Sequence, residues 1–323
     1  MHRIRLNQQL IVFIIFVLLF AGFSVSLPGF LTSQNIVNLL RSVSVLGILG
    51  LGMAIVVIGR GIDLAMVAML AVPSALVLQM LQVGHGLPYA LCVGFGLAVV
   101  TALISGFLVA YAEVPALFTT LAMGIILYGV GQSGMFQYEV IEVPRGFAGF
   151  NLLGQGEFLG IPSMVLTFAA SVLLVGLFMR KTRLGAFIYA IGDNPNAART
   201  SGISTRPMIV FQYVLAALIA TFAGLVVASS VGTMNTRIFN SNLIYDVILV
   251  VVLGGIGLSG GRGGVLNVVV GTLLMGTLIN GMTIYNVSTL MQDFIKGVIL
   301  LMAILIDSFV NPRNEETAQQ GDI

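Results

Sequence analysis

Charge is scarce in this chain, and the residues that usually build active sites are scarcer still. Only 8% of its 323 residues are charged, the histidines are His2 and His85, the one cysteine is Cys92, and the lysines are Lys181 and Lys296. A single thiol excludes a disulfide framework and a cysteine-held metal, and two histidines far apart in sequence leave no zinc or haem site. Neither lysine belongs to a phosphate-binding loop: Gly176 to Thr182 reads GLFMRKT, with Lys181 where the second glycine should stand. No GxSxG elbow, HExxH pair or carboxylate–histidine cluster is written in the sequence. The chain is therefore expected to be no enzyme and to bind no metal or cofactor itself. Its net charge of +2 gives no electrostatic footprint for a nucleic acid.

What fills the chain is hydrocarbon. Hydrophobic residues make up 58%, and a soluble domain would carry roughly 25% charged residues instead. The expected fold is all-α, a polytopic membrane protein forming one transmembrane domain over residues 1–323. Ten apolar segments can be placed, at 10–27, 38–58, 62–82, 88–111, 115–135, 162–179, 208–231, 243–258, 264–285 and 291–310. The first follows Arg3 and Arg5 and exceeds the roughly 7–15 residue core of a signal peptide, so an uncleaved span is expected.

Basic residues set the orientation, because loops that stay in the cytoplasm retain Lys and Arg. With ten spans, Arg3, Arg5, Arg60, Arg180, Lys181, Arg183, Arg199, Arg206, Arg262 and Arg313 share one side, against Arg41, Arg145, Arg237 and Lys296 on the other. Both termini, the tail at 311–323 and the polar stretch at 180–207 are thus expected in the cytoplasm. The segment at 136–161, with Glu139, Glu142 and Glu157, reads as an external loop.

The 180–207 stretch is the one long polar interruption in the second half. Asp193 or Asn194 suits a helix N-cap, Pro195 suits the first helical position, and Gly202 suits the left-handed stop. About two turns carrying Ala197, Ala198 and Arg199 lie between, too few to be stable without docking on something.

Inside the spans, Ala216, Ala220, Gly224 and Ala228 recur every four residues, as do Ala98, Ala102 and Gly106. Small residues on one face let backbones approach, so these are expected to be packing seams. Gly61 to Leu64 (GIDL) and Gly255 to Leu258 (GIGL) each follow a valine-rich run; a repeat and coincidence both account for the echo. Charges near the membrane are suspects for function: Asp63, Glu113, Asp246, Asp293, Lys296 and Asp307, all close to span ends. Asp63, flanked by a broken glycine backbone, is the best candidate to line a passage. Thr119, Thr120, Gln132, Thr221, Asn267, Thr272 and Asn280 offer hydroxyls and amides deeper in the spans. These suit a neutral polyhydroxylated solute, and equally a bridge between helices.

Four stretches in order carry a family resemblance over essentially the whole chain. They are GIDL at Gly61 to Leu64, VPALFTTLAMGIILYGVG at Val114 to Gly131, AIGDNPNAARTSGIS at Ala190 to Ser204 and GGIGLSGGRGGV at Gly254 to Val265. The chain resembles the permease subunits of bacterial ABC importers, in the branch serving ribose, xylose, galactose and related monosaccharides, similar to the branched-chain amino-acid permeases. The resemblance implies a type II-like importer fold in the bacterial inner membrane. It also implies a second permease copy, identical or different, a periplasmic solute-binding protein, and cytoplasmic ATPase chains that hold the ATP and magnesium. Asp193, Asn194, Pro195, Ala197, Ala198, Arg199 and Gly202 would then form a coupling helix seated on the ATPase. Asp63, Thr119, Thr120 and Asn280 would be candidates for the translocation path. Two other readings stay open: import of a branched-chain amino acid or other small solute, and an ion-coupled secondary transporter. One departure stands out, since Arg60 replaces the first glycine of the family's GGIDLS pattern and Ala65, Met66 and Val67 replace Ser-Val-Gly. The missing hydroxyl and glycine point either to a different solute, such as a polyol or deoxy sugar, or to pairing with a different permease.

Overall fold

A computed structural model of the chain describes residues 8–136, 138–144 and 148–310. Arg3, Arg5, Arg145, Arg313 and the tail at 311–323 lie outside the described residues, as does the side chain of Asp307. The first half runs α1 (Gln8–Ser26), α2 (Ser33–Ile58), α3 (Met66–Gln82), α4 (Leu87–Ala110) and α5 (Ala116–Val130), the last extended by one π turn. A crossing segment follows with β1 (Val140–Glu142), α6 (Ala148–Asn151), β2 (Glu157–Phe158) and β3 (Ile161–Pro162). The second half runs α7 (Ser163–Lys181), α8 (Arg183–Asp193), α9 (Pro195–Thr200), α10 (Thr205–Val231), β4 (Thr233–Asn235), α11 (Leu243–Leu253), α12 (Val265–Ile284) and α13 (Thr289–Val310). The all-α expectation holds: among the described residues the strands amount to two short ladders, β1 with β4 and β2 with β3.

Eight helices among the described residues are long and apolar enough to cross a membrane. The other two expected spans, at 62–82 and 243–258, are the shorter helices α3 and α11. Each is cut short by the glycine-bearing break that the echo marks. With a rise of about 1.5 Å per residue, α11 covers roughly 16 Å, half of a hydrocarbon core of about 30 Å. Val247, Leu249, Val250 and Val251 are all fully enclosed.

Burial separates the centre from the rim. Helix α2 is buried along most of its length, whereas α1 and α13 leave nearly all of theirs open. Leu18, Leu290 and Leu301 are among the exposed apolar side chains of the rim. Such surface suits contact with acyl chains. Helix α10 packs most extensively against α4, α3 and α2, and both expected seams lie there. Ala216, Ala220 and Ala228 are fully buried, and Ala98 and Ala102 nearly so. At Gly106 a Cβ would come within 2.8 Å of the Val210 Cα on α10.

The 136–161 segment is pinned rather than loose. Ile141 and Met234 face each other across the β1–β4 ladder and both are buried. The Ser229 hydroxyl donates to the Phe150 carbonyl at 2.7 Å and accepts from the Gly154 N–H at 2.8 Å.

Candidate functional site

The expected short helix forms, one residue narrower than two turns. Asn194, not Asp193, is its N-cap: the side-chain oxygen accepts from the Asn196 and Ala197 N–H groups at 3.0 Å each. Pro195 occupies the first position. At the other end Ile203 N–H bonds back to Ala198 C=O at 3.0 Å while Gly202 sits at φ +84°. That pairing satisfies carbonyls the helix end would leave bare. Ala197, Arg199 and Thr200 are exposed, whereas Ala198 is buried within the chain. The outward face is therefore Asn196, Ala197, Arg199 and Thr200, and Ala198 anchors the helix to its own fold.

Helix α8 is the element that sequence reasoning missed. It presents Ile188, Ile191, Gly185 and Gly192 inward and starts on a cap, with Thr182 Oγ1 accepting from Gly185 N–H at 3.0 Å. The signal was there in the spacing of its apolar residues, masked by the basic residues Arg180, Lys181 and Arg183 beside it. Tyr189 on α8 donates to the Gly263 carbonyl at 2.9 Å. Burial pushes its hydroxyl above the ordinary range, with Arg180 pulling the other way, so it remains a donor.

The two glycine-bearing breaks share one geometry. After α2, Arg60 N–H bonds Val57 C=O at 3.0 Å and Gly61 N–H bonds Val56 C=O at 2.8 Å. After α11, Gly255 N–H bonds Val252 C=O at 2.9 Å and Ile256 N–H bonds Val251 C=O at 3.1 Å. Both are Schellman ends. The left-handed residue is Arg60 (φ +67°) in one and Gly255 (φ +86°) in the other. The structural correspondence is therefore Arg60 with Gly255, one residue out of step with the echo of GIDL and GIGL. Register is counted from the helix end, not from the matching letters. A side chain in this conformation costs about 1–2 kcal/mol, and the guanidinium offsets it with charge-assisted hydrogen bonds. Arg60 Nε lies 2.7 Å from Gly192 O and 2.9 Å from Ser259 O, and Nη2 lies 3.0 Å from Asp193 O.

Asp63 is buried, at 2% exposure. Its Oδ1 accepts from Ala65 N–H at 3.0 Å, a turn that launches α3. Thr120 Oγ1 accepts from Leu64 N–H at 3.0 Å, so Asp63 and Thr120 meet at the break. Thr119 is also buried, and its hydroxyl has no partner among the described residues. Gln212 and Tyr213 join this cluster unannounced by any motif: Gln212 Nε2 is buried without a partner among the described residues, and the Tyr213 hydroxyl lies 3.5 Å from Ile62 O. Asn280 is elsewhere. It exchanges amide hydrogen bonds with Asn35 at 2.9 and 3.0 Å, clamping α2 to α12 near the opposite end of both helices. Its fifteen-residue distance from the start of α12 puts it roughly 22 Å along that helix. Asp246, Asp293 and Lys296 come together as one ion-paired group, with Lys296 Nζ 2.9 Å from Asp246 and 3.0 Å from Asp293. Glu113 pairs with Arg206 at 2.9 Å.

Alanine at position 63 removes the acceptor for a buried N–H, at a cost of about 1–3 kcal/mol. Asp63→Ala is therefore expected to lower the thermal midpoint of the detergent-solubilised chain by several degrees, and Asp63→Asn, which keeps the acceptor, to restore it. Size-exclusion thermal melts would check this; equal midpoints for the two variants would remove the turn from the account of α3.

Residues 35–304 match the family described as "Branched-chain amino acid transport system / permease component". The ribose import permease protein of Bacillus subtilis is 34% identical over 280 residues, covering 87% of this chain and 86% of that protein. Its counterpart from Escherichia coli K12 is 32% identical, covering 87% and 88%. The L-arabinose ABC transporter permease protein of Azospirillum brasilense is 31% identical, covering 95% and 88%. No solved structure matches the chain. A helical bundle broken after α2 and after α11, with one capped helix outside it, is thus the form taken here by a multi-pass membrane permease subunit, and the chain belongs to that permease family.

Proposed function

We propose that this chain is the translocation subunit of an ATP-driven importer for a monosaccharide or similar small polyhydroxylated solute. The end bearing α8, α9 and the two breaks, with Arg60, Arg180, Arg199, Arg206 and Arg262, faces the cytoplasm, as do both termini, following the bias of basic residues. The observation that carries the reading is α9: a six-residue helix, capped at both ends, that exposes Asn196, Ala197, Arg199 and Thr200. A helix that short has little stability of its own, and the methyl of Ala197 leaves its outward face low enough at that point to seat in a groove of a cytoplasmic ATPase. Arg199 reaches from it towards carbonyls or carboxylates of the partner. Two permease copies would each offer one such helix to a pair of ATPases, with a periplasmic binding protein delivering solute from the other side. ATP and magnesium would be held by the ATPase and not by this chain. The ribose and L-arabinose permeases among its relatives support a sugar. The family's own description names branched-chain amino acids, which keeps that class as the second reading.

The test is uptake of radiolabelled ribose, xylose and leucine by cells expressing the chain with its ATPase and binding protein. Sugar uptake that falls on ATP depletion and survives an uncoupler is the expected result. Leucine uptake in place of sugar would favour the second reading. Uptake that collapses with the uncoupler and survives ATP depletion would replace the whole scheme with an ion-coupled transporter.

A further inference from the structure

Three segments distant in sequence meet at one guanidinium. The C-terminal end of α2 supplies Arg60, the last turn of α8 supplies the carbonyls of Gly192 and Asp193, and the turn between α11 and α12 supplies that of Ser259. Backbone joins them as well: Gly261 N–H donates to Ile58 C=O at 2.8 Å. The packing leaves no slack, because a Cβ on Gly192 would stand 1.8 Å from Ile58 O, and one on Gly261 2.7 Å from the Asp193 Cα. Gly192 and Asp193 end α8, where bare carbonyls and the helix dipole favour a cation. Asp193 is followed directly by Asn194, the cap of α9.

We propose that Arg60 is a positioning residue that makes the α8–α9 elbow, the break after α2 and the glycine turn after α11 move as one body. A push on α9 is then delivered through backbone carbonyls to both breaks at once, without passing along a chain of adjustable side chains. The residue at this place is left-handed, where glycine would be free of strain, and arginine supplies a planar fork with reach to three carbonyls. The direction in which the tie is used rests on the reading of α9 as the ATPase-docking element. The tie itself rests on the hydrogen bonds.

Arg60→Gly separates the two, since glycine keeps the Schellman end after α2 and relieves its strain while deleting the fork. In the full chain reconstituted in lipid nanodiscs, hydrogen exchange of Arg60→Gly should be at least ten-fold faster over 185–200 and 256–263, with the buried middle of α2 unchanged. Exchange equal to the parent in both segments would overturn the proposal. In proteoliposomes holding the chain with its ATPase and binding protein, solute moved per ATP hydrolysed should fall at least five-fold with ATPase association retained. Arg60→Lys, which keeps the charge and loses the fork, should recover part of that loss. An unchanged ratio in Arg60→Gly would overturn the transmitting role. Failure of the chain to hold any ATPase would defeat the importer reading, and the nanodisc exchange would still decide the tie.

Discussion

Replacing Ala197 with glutamate is expected to stop uptake while the chain still folds and inserts. Position 197 is on the exposed side of α9, and its N–H is already satisfied by the Asn194 side chain. A larger side chain there disturbs nothing inside the subunit. It does disturb whatever lies against that face, because a methyl-sized face is what permits close approach and a buried unpaired carboxylate is costly to desolvate. A central interface residue of this kind carries about 2 kcal/mol or more, roughly a thirty-fold loss of affinity for the ATPase. Ala198→Glu should behave differently, since Ala198 is 4% exposed and packs within the chain. That variant should lose monodispersity in detergent before any question of docking arises. Uptake and pull-down of the ATPase, set beside size-exclusion profiles, separate the outcomes. Parental uptake by Ala197→Glu would remove α9 from the docking surface.

The contrast between neighbouring alanines marks what could be read in the sequence. Caps were legible because their chemistry is local: Asn194, Pro195 and Gly202 act within a few residues of themselves. The side chain that faces outward on a two-turn helix depends on what the helix lies against, and nothing local states that. The ten apolar segments were legible from hydropathy, but not that only eight of them form helices long enough to cross, with α3 and α11 shorter. The start of α3 is set by the turn at Asp63 and the end of α11 by the turn at Gly255, and in lipid an apolar run gives no hint of where its backbone stops being helical. Asp63 and Thr120, both named from the sequence, bond to neighbouring backbone groups at the same break. Gln212 and Tyr213, which share their cluster, lie about one turn before the first alanine of the α10 seam, with no spacing to distinguish them from packing residues. Asn280 was drawn in as a passage residue by its polarity, whereas its amide is committed to Asn35. Arg60 was legible only as a broken pattern. Its hydrogen bonds span up to 199 positions, a distance over which sequence carries no geometric signal.

Glycine at 224 is the second place where a single substitution should have a large effect, and it tests the bundle itself. On α10, a Cβ at this position would stand 2.0 Å from the Leu70 carbonyl oxygen and 2.6 Å from Ser74 Oγ on α3. The Leu70 oxygen is backbone in the middle of a helix and already accepts from the Ser74 hydroxyl. It cannot swing aside as a side-chain end would. The helices must separate, and because α10 also packs on α4 and α2, separation at one seam opens the others. Overpacking in a close-packed interior costs about 1–3 kcal/mol where side chains can yield, and more where they cannot. That is a large share of a net stability of roughly 5–15 kcal/mol. Gly224→Val should therefore lose the monodisperse peak of the purified chain. Gly96→Val on α4 should keep it, since nothing lies within 4 Å of a Cβ there. Both substitutions add the same atoms to a membrane helix, so the comparison cancels insertion and helix propensity and leaves the seam. Equal profiles for the two would mean that α3 and α10 are not held at this distance. The route from α9 through Arg60 to the break before α3 would then lose the rigid neighbour it works against.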